Sequence, residues 1–513
     1  MSGVGKGWRR CAVGVAAAAL LSIGLGAASP QPASAAAACA GGVDNDFNGD
    51  GIRDVAIADP MATVSGVERA GQIHVVLGGG KGTVQVSQDM PNVSDSAESG
   101  DQFGFSLAVY DADLDGCSDL AVGIPYEDVG TTPDAGLVHL IYGSTAGIGQ
   151  GTPDKGFRQG PDGRLGESLE AEDWVGYSVA TTKSTTNNVF LIIGIPGEDG
   201  TGKPDMGMVS CVFGADQKVA SVTQDSPGVW EDAEAYDQFG ASVVATGQVF
   251  VVGVPGESID TDLAAGAVMA FQPSITTDGI PKPSWGMGQT RAGGTEQSAE
   301  SGDRFGTAMA IAPYRPAGAS AATDVLLAVG APGEDLAGAV DTGAVQIYHA
   351  TAAGSVTQLQ WLDQNSPDVE GEAEAGDFFG QRLAAVNTTP GAVSTSATMR
   401  LAVGVPGEES SEENRDKGGV QVFPMVGAPG ASDSWLEPGN GIPSPPATQL
   451  LAGLSVASSP SLLYVGIPYG PAEGRAVYGF PWNVVSGGAP TQTWKPGEGG
   501  IPAGAVSFGA VVR

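Results

Sequence analysis

The chain is 513 residues long and 42% hydrophobic, with 80 glycines and 34 prolines. That is apolar enough for a core and too apolar for a disordered low-complexity chain, and the glycine and proline suit many turns. The formal charge of −35 argues against binding nucleic acid or an anionic membrane, and for solubility alone or a basic or cationic partner.

Residues 1–35 have the pattern of a secretory signal peptide. Lys6, Arg9 and Arg10 make a basic start, Ala12 to Ala28 is an apolar run, and Ala33-Ser34-Ala35 is a small-residue cleavage site. The other reading of the run is a membrane anchor. The Arg9-Arg10 pair permits a twin-arginine export route, and Cys39 lacks the leucine three places earlier that a lipoprotein signal needs. No other stretch approaches ~18 uninterrupted apolar residues, so no further membrane span is expected. Cleavage would leave 20 basic against 58 acidic side chains, a mature net charge of −38.

The next feature is an acidic nonapeptide, Asp46 to Asp54 (DFNGDGIRD), with a second copy at Asp111 to Asp119 (DADLDGCSD). Both place oxygen side chains at positions 1, 3, 5 and 9 and glycine at position 6. The sets are Asp46, Asn48, Asp50, Asp54 and Asp111, Asp113, Asp115, Asp119. Alternate spacing gathers hard oxygens on one side of a tight loop, which suits calcium better than magnesium. Ile52 and Cys117 at position 7 would add a backbone carbonyl each. An EF-hand needs Glu at position 12, where this chain has Ile57 and Val122, so hairpin loops are expected. The alternative is a pair of Asp-rich turns without metal.

From Asp101 to Gly143 the chain alternates short apolar runs with Gly, Pro and Asp turns: Phe103 to Tyr110, Leu120 to Ile124, Leu137 to Tyr142. Such runs read as strands, and the short connections make consecutive strands antiparallel. The unit then recurs. Asp-x-Phe-Gly returns at Asp237, Asp303 and Asp377, with a Val variant at Asp173 to Gly176. Gly-x-Pro returns at Gly123, Gly194, Gly253, Gly330, Gly404 and Gly466, preceded by Ala58-Asp59-Pro60. Third strands open on glycine at Gly71, Gly136, Gly207, Gly266, Gly343 and Gly419. Fourth strands end in turns such as Gln88 to Pro91, Gln224 to Pro227 and Gln364 to Pro367. Seven units of four strands without a helical pattern predict an all-β, seven-bladed β-propeller of four-stranded antiparallel blades over residues 36–513. The first unit lacks its Phe-Gly strand, and Val506 to Val512 at the far end supplies one. The C-terminal strand is therefore expected to join the first blade beside Ile52 to Ala58 and close the ring.

Phe-Gly followed by Gly-Ala-Pro, literal at Gly330-Ala331-Pro332, resembles the FG-GAP repeat of the integrin α-subunit head and of similar bacterial secreted proteins. The resemblance covers nearly all of the mature chain and implies the propeller fold and calcium in hairpin loops. The corresponding loops of the other units lack acids at alternate spacing, so two calcium ions are expected, in neighbouring blades near the N-terminus.

Among the cysteines, Cys211 falls on the buried side of its strand and is expected to be a free core thiol. Cys39 and Cys117 remain, the first just before the first calcium loop and the second within the other, and adjacent blades could bring them together as a disulfide. His74 and His139 hold equivalent places opposite the Val and Ile positions and are expected at a strand surface; His349 lies elsewhere. No nucleophile elbow, zinc spacing, phosphate loop or dinucleotide fingerprint is present, so no catalytic residue is assigned. Two acidic series recur, Glu127, Glu198, Glu257, Glu334, Glu408 after Gly-x-Pro and Asp101, Asp173, Asp237, Asp303, Asp377 before Phe-Gly. Both should ring the face opposite the calcium loops, either accepting backbone N–H groups in their own turns or forming an acidic platform. The expected function is a secreted recognition or adhesion module, a monomer binding an extracellular protein or glycan. The alternatives are a hydrolase or lyase with its site in the central depression, and a passive envelope or matrix protein.

Overall fold

Apolar runs of five to seven residues, too short for helices and cut off by Gly, Asp and Pro, have one stable outcome here, which is pairing with their sequence neighbours. The computed structural model describes residue 39 and residues 41–289, 299–409 and 411–513; the signal-peptide assignment lies outside them. Among the described residues the strands form seven antiparallel sheets of four, one with a short fifth strand. The second blade is typical, with strands Ser106–Tyr110, Asp119–Ile124, Leu137–Ile141 and Lys155–Phe157. The first strands of successive blades contact each other in order around a central axis, and Val511–Val512 stands in that ring between Ser455–Ser458 and Ser106–Tyr110. The second and third strands are almost wholly buried because each blade is covered by a neighbour on both faces. Alternation of apolar and polar residues therefore fades where burial is two-sided.

The two repeated motifs are the joints between blades. Phe-Gly lies in the turn before the first strand, which begins three residues later at Ser106. The expected strand from Phe103 is thus shortened, because the Phe103 N–H is given to Ala70 of the preceding blade, 2.9 Å away. The same bridge joins Gly136 to Val175, Gly207 to Phe239, Gly266 to Phe305 and Gly418 to Ala452. Ala452-Gly453 is the Phe-Gly equivalent of the last blade, too degenerate to stand out in the sequence. The glycine of Gly-x-Pro meets the next joint: a Cβ on Gly123 would lie 2.1 Å from the Gly176 carbonyl oxygen, and one on Gly194 2.0 Å from that of Gly240. A serine two residues after several of these Phe-Gly pairs locks the contact. Ser106, Ser178, Ser242 and Ser455 each donate to the carbonyl of the next blade's glycine at 2.6–2.7 Å.

The ring closes as expected. Val512 and Val511 pair antiparallel with Ile57 and Ala58 of the strand Val55–Asp59, in a sheet completed by Gln72–Val76 and Thr83–Val86. Ala56 and Arg513 exchange both backbone hydrogen bonds, at 2.8 and 2.9 Å. The buried Asp59 carboxylate accepts the N–H groups of Val506 and Ser507 and the Ser507 hydroxyl. Phe508 is fully buried, its ring 5.6 Å from that of His74. His74 and His139 are accordingly buried, which corrects the strand-surface expectation: a third strand has no solvent face in this fold.

Candidate metal loops and the opposite face

The two acidic nonapeptides fold alike, bond for bond. In the first, Gly51 N–H donates to Asp46, Asp50 N–H to Asn48 and Ile52 N–H to Asp50, at 2.7, 3.0 and 2.9 Å. In the second, Gly116 N–H donates to Asp111, Asp115 N–H to Asp113 and Cys117 N–H to Asp115, at 3.1, 3.2 and 2.8 Å. Gly51 and Gly116 hold positive φ, 81° and 94°, as position 6 of so tight a loop requires. The ninth residue is a brace. Asp54 accepts Phe47 and Gly78 N–H groups, and Asp119 accepts those of Ala112 and Gly143.

The second loop brings carboxylate oxygens of Asp111, Asp113 and Asp115 within 4.8 Å of one another. One Asp111 oxygen is buried without a partner. Burial, opposed by backbone N–H groups and aided by the charge of Asp115, raises the pKa of Asp111, and burial with the same neighbour raises Asp113. Burial lifts Asp119 to about 8 and Asp54 to about 6. Converging, mutually repelling oxygens with an orphan acceptor fit a hard divalent cation. In the first loop the ammonium of Lys81 sits 2.6 Å from Asp50, and this contact is the main cause that lowers the Asp50 pKa. Asn48 and the Ile52 and Cys117 carbonyls complete the two expected donor sets.

Cys39 and Cys117 form a disulfide, while Cys211 is free and buried. His349 makes a 2.8 Å contact with Asp324 in its own blade. His139 contacts Asp154 and has no link to His74 or His349.

The ten recurrent acids lie at the other end of the blades, as expected; eight are buried, and Glu198 and Glu408 are half-buried. This corrects the idea that they form an acidic platform. Each Asp caps its own turn: Asp101, Asp173, Asp237, Asp303 and Asp377 accept the N–H group of the residue three places earlier. Each Glu accepts a side-chain amide of a glutamine, pairing Glu127 with Gln88, Glu198 with Gln159, Glu257 with Gln224, Glu334 with Gln289 and Glu408 with Gln364. Those glutamines are visible in the sequence as recurrent turn residues, but nothing there signals their buried role. Burial raises every one of the ten carboxyl pKa values, with the neighbouring acid contributing in most, to about 9 at Glu127 and about 8 at Glu257.

Besides exposed acids such as Glu98, Asp128 and Glu172, this face carries aromatic side chains. Phe105, Tyr126, Trp174 and Tyr177 are half-buried and in ring contact: Phe105 is 5.5 Å from Tyr126 and 5.1 Å from Tyr177, and Trp174 is 6.4 Å from Tyr177. Trp174 is pushed outward by its positive φ of 56° in the Asp-x-Phe-Gly turn. Asp134 adjoins them, its pKa raised by burial and by the charges of Asp128 and Glu172. Phe105 and Tyr177 also line a central depression of about 340 Å3. Tyr236, Leu263 and Tyr469 are further exposed apolar side chains.

Seven closed blades, inter-blade joints made of Phe-Gly and Gly-x-Pro, and acidic loops in two hairpin positions define the class of integrin-like repeat propellers. Residues 103–141 match the FG-GAP repeat family model, and the chain is a β-propeller that carries this repeat. Part of the chain is similar to phosphatidylinositol-glycan-specific phospholipase D and to an integrin α chain. The mouse phospholipase is 30% identical over 111 residues, 21% of this chain and 13% of that protein, and the bovine one 28% over 173 residues, 33% and 19%. Integrin alpha-PS2 of Drosophila melanogaster is 33% identical over 109 residues, 20% and 7%. The matches thus span less than a fifth of these relatives' length. Among the described residues no helix is long and apolar enough to cross a membrane.

Proposed function

We propose that the chain is a secreted, calcium-stabilised recognition module that docks an extracellular protein through basic side chains of that partner. The observation that carries this reading is the aromatic cluster of Phe105, Tyr126, Trp174 and Tyr177, bordered by Asp128, Asp134 and Glu172 beside an open depression. Aromatic faces attract lysine and arginine through their quadrupole, and adjacent carboxylates add charge and hydrogen-bond acceptors. A mature charge near −38 would speed encounter with a basic patch. Calcium at the opposite end would stiffen the first two blades, the second of which carries Phe105 and Tyr126 of the platform. Similarity to an integrin α-chain supports adhesion or recognition over catalysis.

An enzymatic reading draws on the phospholipase relatives, yet the residues lining the depression include no carboxylate, imidazole or thiol side chain. Of the side chains that commonly run general acid–base chemistry, that cavity offers only the hydroxyls of Tyr177 and Tyr469. The test is binding of the mature protein to peptide and oligosaccharide arrays in excess calcium. Lysine- and arginine-rich peptides should be retained, and Trp174→Ala should weaken them roughly tenfold or more. Retention of glycans alone, or of basic peptides equally by Trp174→Ala and Asp134→Asn variants, would overturn the proposal.

A further inference from the structure

The two metal loops belong to adjacent blades, and they are wired together. Asp46, first donor of the first loop, gives its N–H to the Ser118 hydroxyl at 3.1 Å and takes the Ser118 N–H at 2.9 Å. Ser118 is the eighth residue of the second loop. A parallel route runs from the ninth residue, Asp119, which accepts Gly143 N–H at 2.9 Å, to the next residue Ser144, whose N–H goes to the Phe47 carbonyl at 3.1 Å. Gly143 is wedged between these groups, since a Cβ there would lie 2.2 Å from the Ser118 carbonyl oxygen and 2.8 Å from that of Phe47.

Cys39 closes the seam. It is bonded to Cys117, the seventh residue of the second loop. It also packs on the first loop, where a Cβ on Gly49 would meet its Cβ at 2.8 Å, and its carbonyl oxygen lies 3.2 Å from the corresponding position on Gly116. No motif of the repeat places a residue there; the contact is built by the segment ahead of the first blade.

We propose that the two loops form one cooperative divalent-cation unit, clamped by the Cys39–Cys117 disulfide, so that filling either loop orders the other and reduction uncouples them. The inference rests on calcium as the ligand of both loops. Ordering the second loop fixes Ser118 and Ser144, and these position Asp46 and Phe47 before the second ion arrives. The ordering cost is then met once rather than twice, and affinity for the second ion rises. Direct repulsion between two bound ions acts the other way, but salt screens it, whereas the hydrogen-bonded seam is not screened.

Calcium titration of the calcium-stripped, full mature chain by calorimetry tests this. Asp113→Asn should cripple the second loop and weaken binding at the first at least about fivefold. By linkage, Asp50→Asn should weaken the second loop by the same factor. Ser118→Ala, which keeps all expected donors, should shrink that factor, and phosphine reduction of the folded protein should bring it close to one while circular dichroism is unchanged. Equal constants with and without a working partner loop overturn the coupling while leaving calcium binding intact. The coupling is likewise overturned if the factor disappears in about 1 M salt, where the Debye length is ~3 Å. No calcium uptake at all overturns both the coupling and the assignment of the ion.

Discussion

Glu257 offers a clean handle on the buried acids. It is 3% exposed, its carboxylate accepts the Gln224 side-chain amide, and burial together with the nearby Asp237 lifts its pKa from 4.5 to about 8. The folded protein therefore holds this proton more tightly than the unfolded chain does. Its contribution to stability is fully present below pH ~4.5 and is lost as pH rises towards ~8. In that window one retained proton costs ~1.4 kcal/mol of stability per pH unit, and the whole interval is worth at most roughly 5 kcal/mol. Glu257→Gln keeps the shape and an acceptor for Gln224 but cannot ionise. Denaturant midpoints followed by tryptophan fluorescence, in chelator from pH 5 to 8, should fall with pH for the parent protein. The variant's decline should be shallower by about one proton, with near equality at pH 5 and the variant ahead at pH 8. Parallel curves would mean that Glu257 is ionised in the folded state despite its burial, and would refute the same expectation for the other four Glu–Gln pairs.

Calcium at ~100 times its dissociation constant should add ~2.7 kcal/mol per independent site; an unchanged melting midpoint with no calcium by elemental analysis would refute the metal reading, and Asp50→Ala and Asp115→Ala should each remove about one ion. Deleting residues 505–513 should abolish cooperative melting or the first metal site while the second survives, because Asp59 loses its three donors and the strand 55–59 its partner; a truncated protein that melts like the parent would refute the latch. Gly194→Ala should destabilise by several kcal/mol, since its Cβ would sit 2.0 Å from a backbone oxygen, whereas Gly354→Ala, at positive φ but in open space, should cost only about 1 kcal/mol; equal losses in the two variants, read from denaturant midpoints, would refute the close approach between blades.

The fold was legible because the repeat's punctuation is physical. Gly-x-Pro and Phe-Gly recur where backbone meets backbone between blades, so the pattern stays readable around the ring, with Ala58 in one glycine place and Val175 and Ala452 in phenylalanine places as its departures. The second oxygen cage was equally open to reading, since alternate spacing around a glycine has few uses. Burial was harder to read. In an isolated sheet His74 and His139 would face water, and the ten repeated acids would look like a charged rim. Packing of a neighbour on each face of the blade cancels that alternation, and the glutamines that satisfy Glu127 and its counterparts come from the previous blade's turn, some 33 to 45 residues away.

The same distinction separates the two ends of the propeller. One end carries its charges in tight loops whose carboxylates still converge, with an Asp111 oxygen left unpartnered, so the balance there calls for a cation. At the other end burial raises the pKa values of the recurrent acids, which are committed to Gln and N–H partners, while acids such as Glu98, Asp128, Glu172, Glu234, Glu300 and Glu374 stay exposed around the half-buried Trp174, Tyr177 and Phe105. A carboxylate ring at the surface would bind any cation. On the reading proposed above, exposed acids around an aromatic cluster would favour a partner that brings its charge on an apolar stem at one place on the ring. The repeat thus builds a seven-fold scaffold, and departures from it in blades two and three make one sector of its face different from the rest.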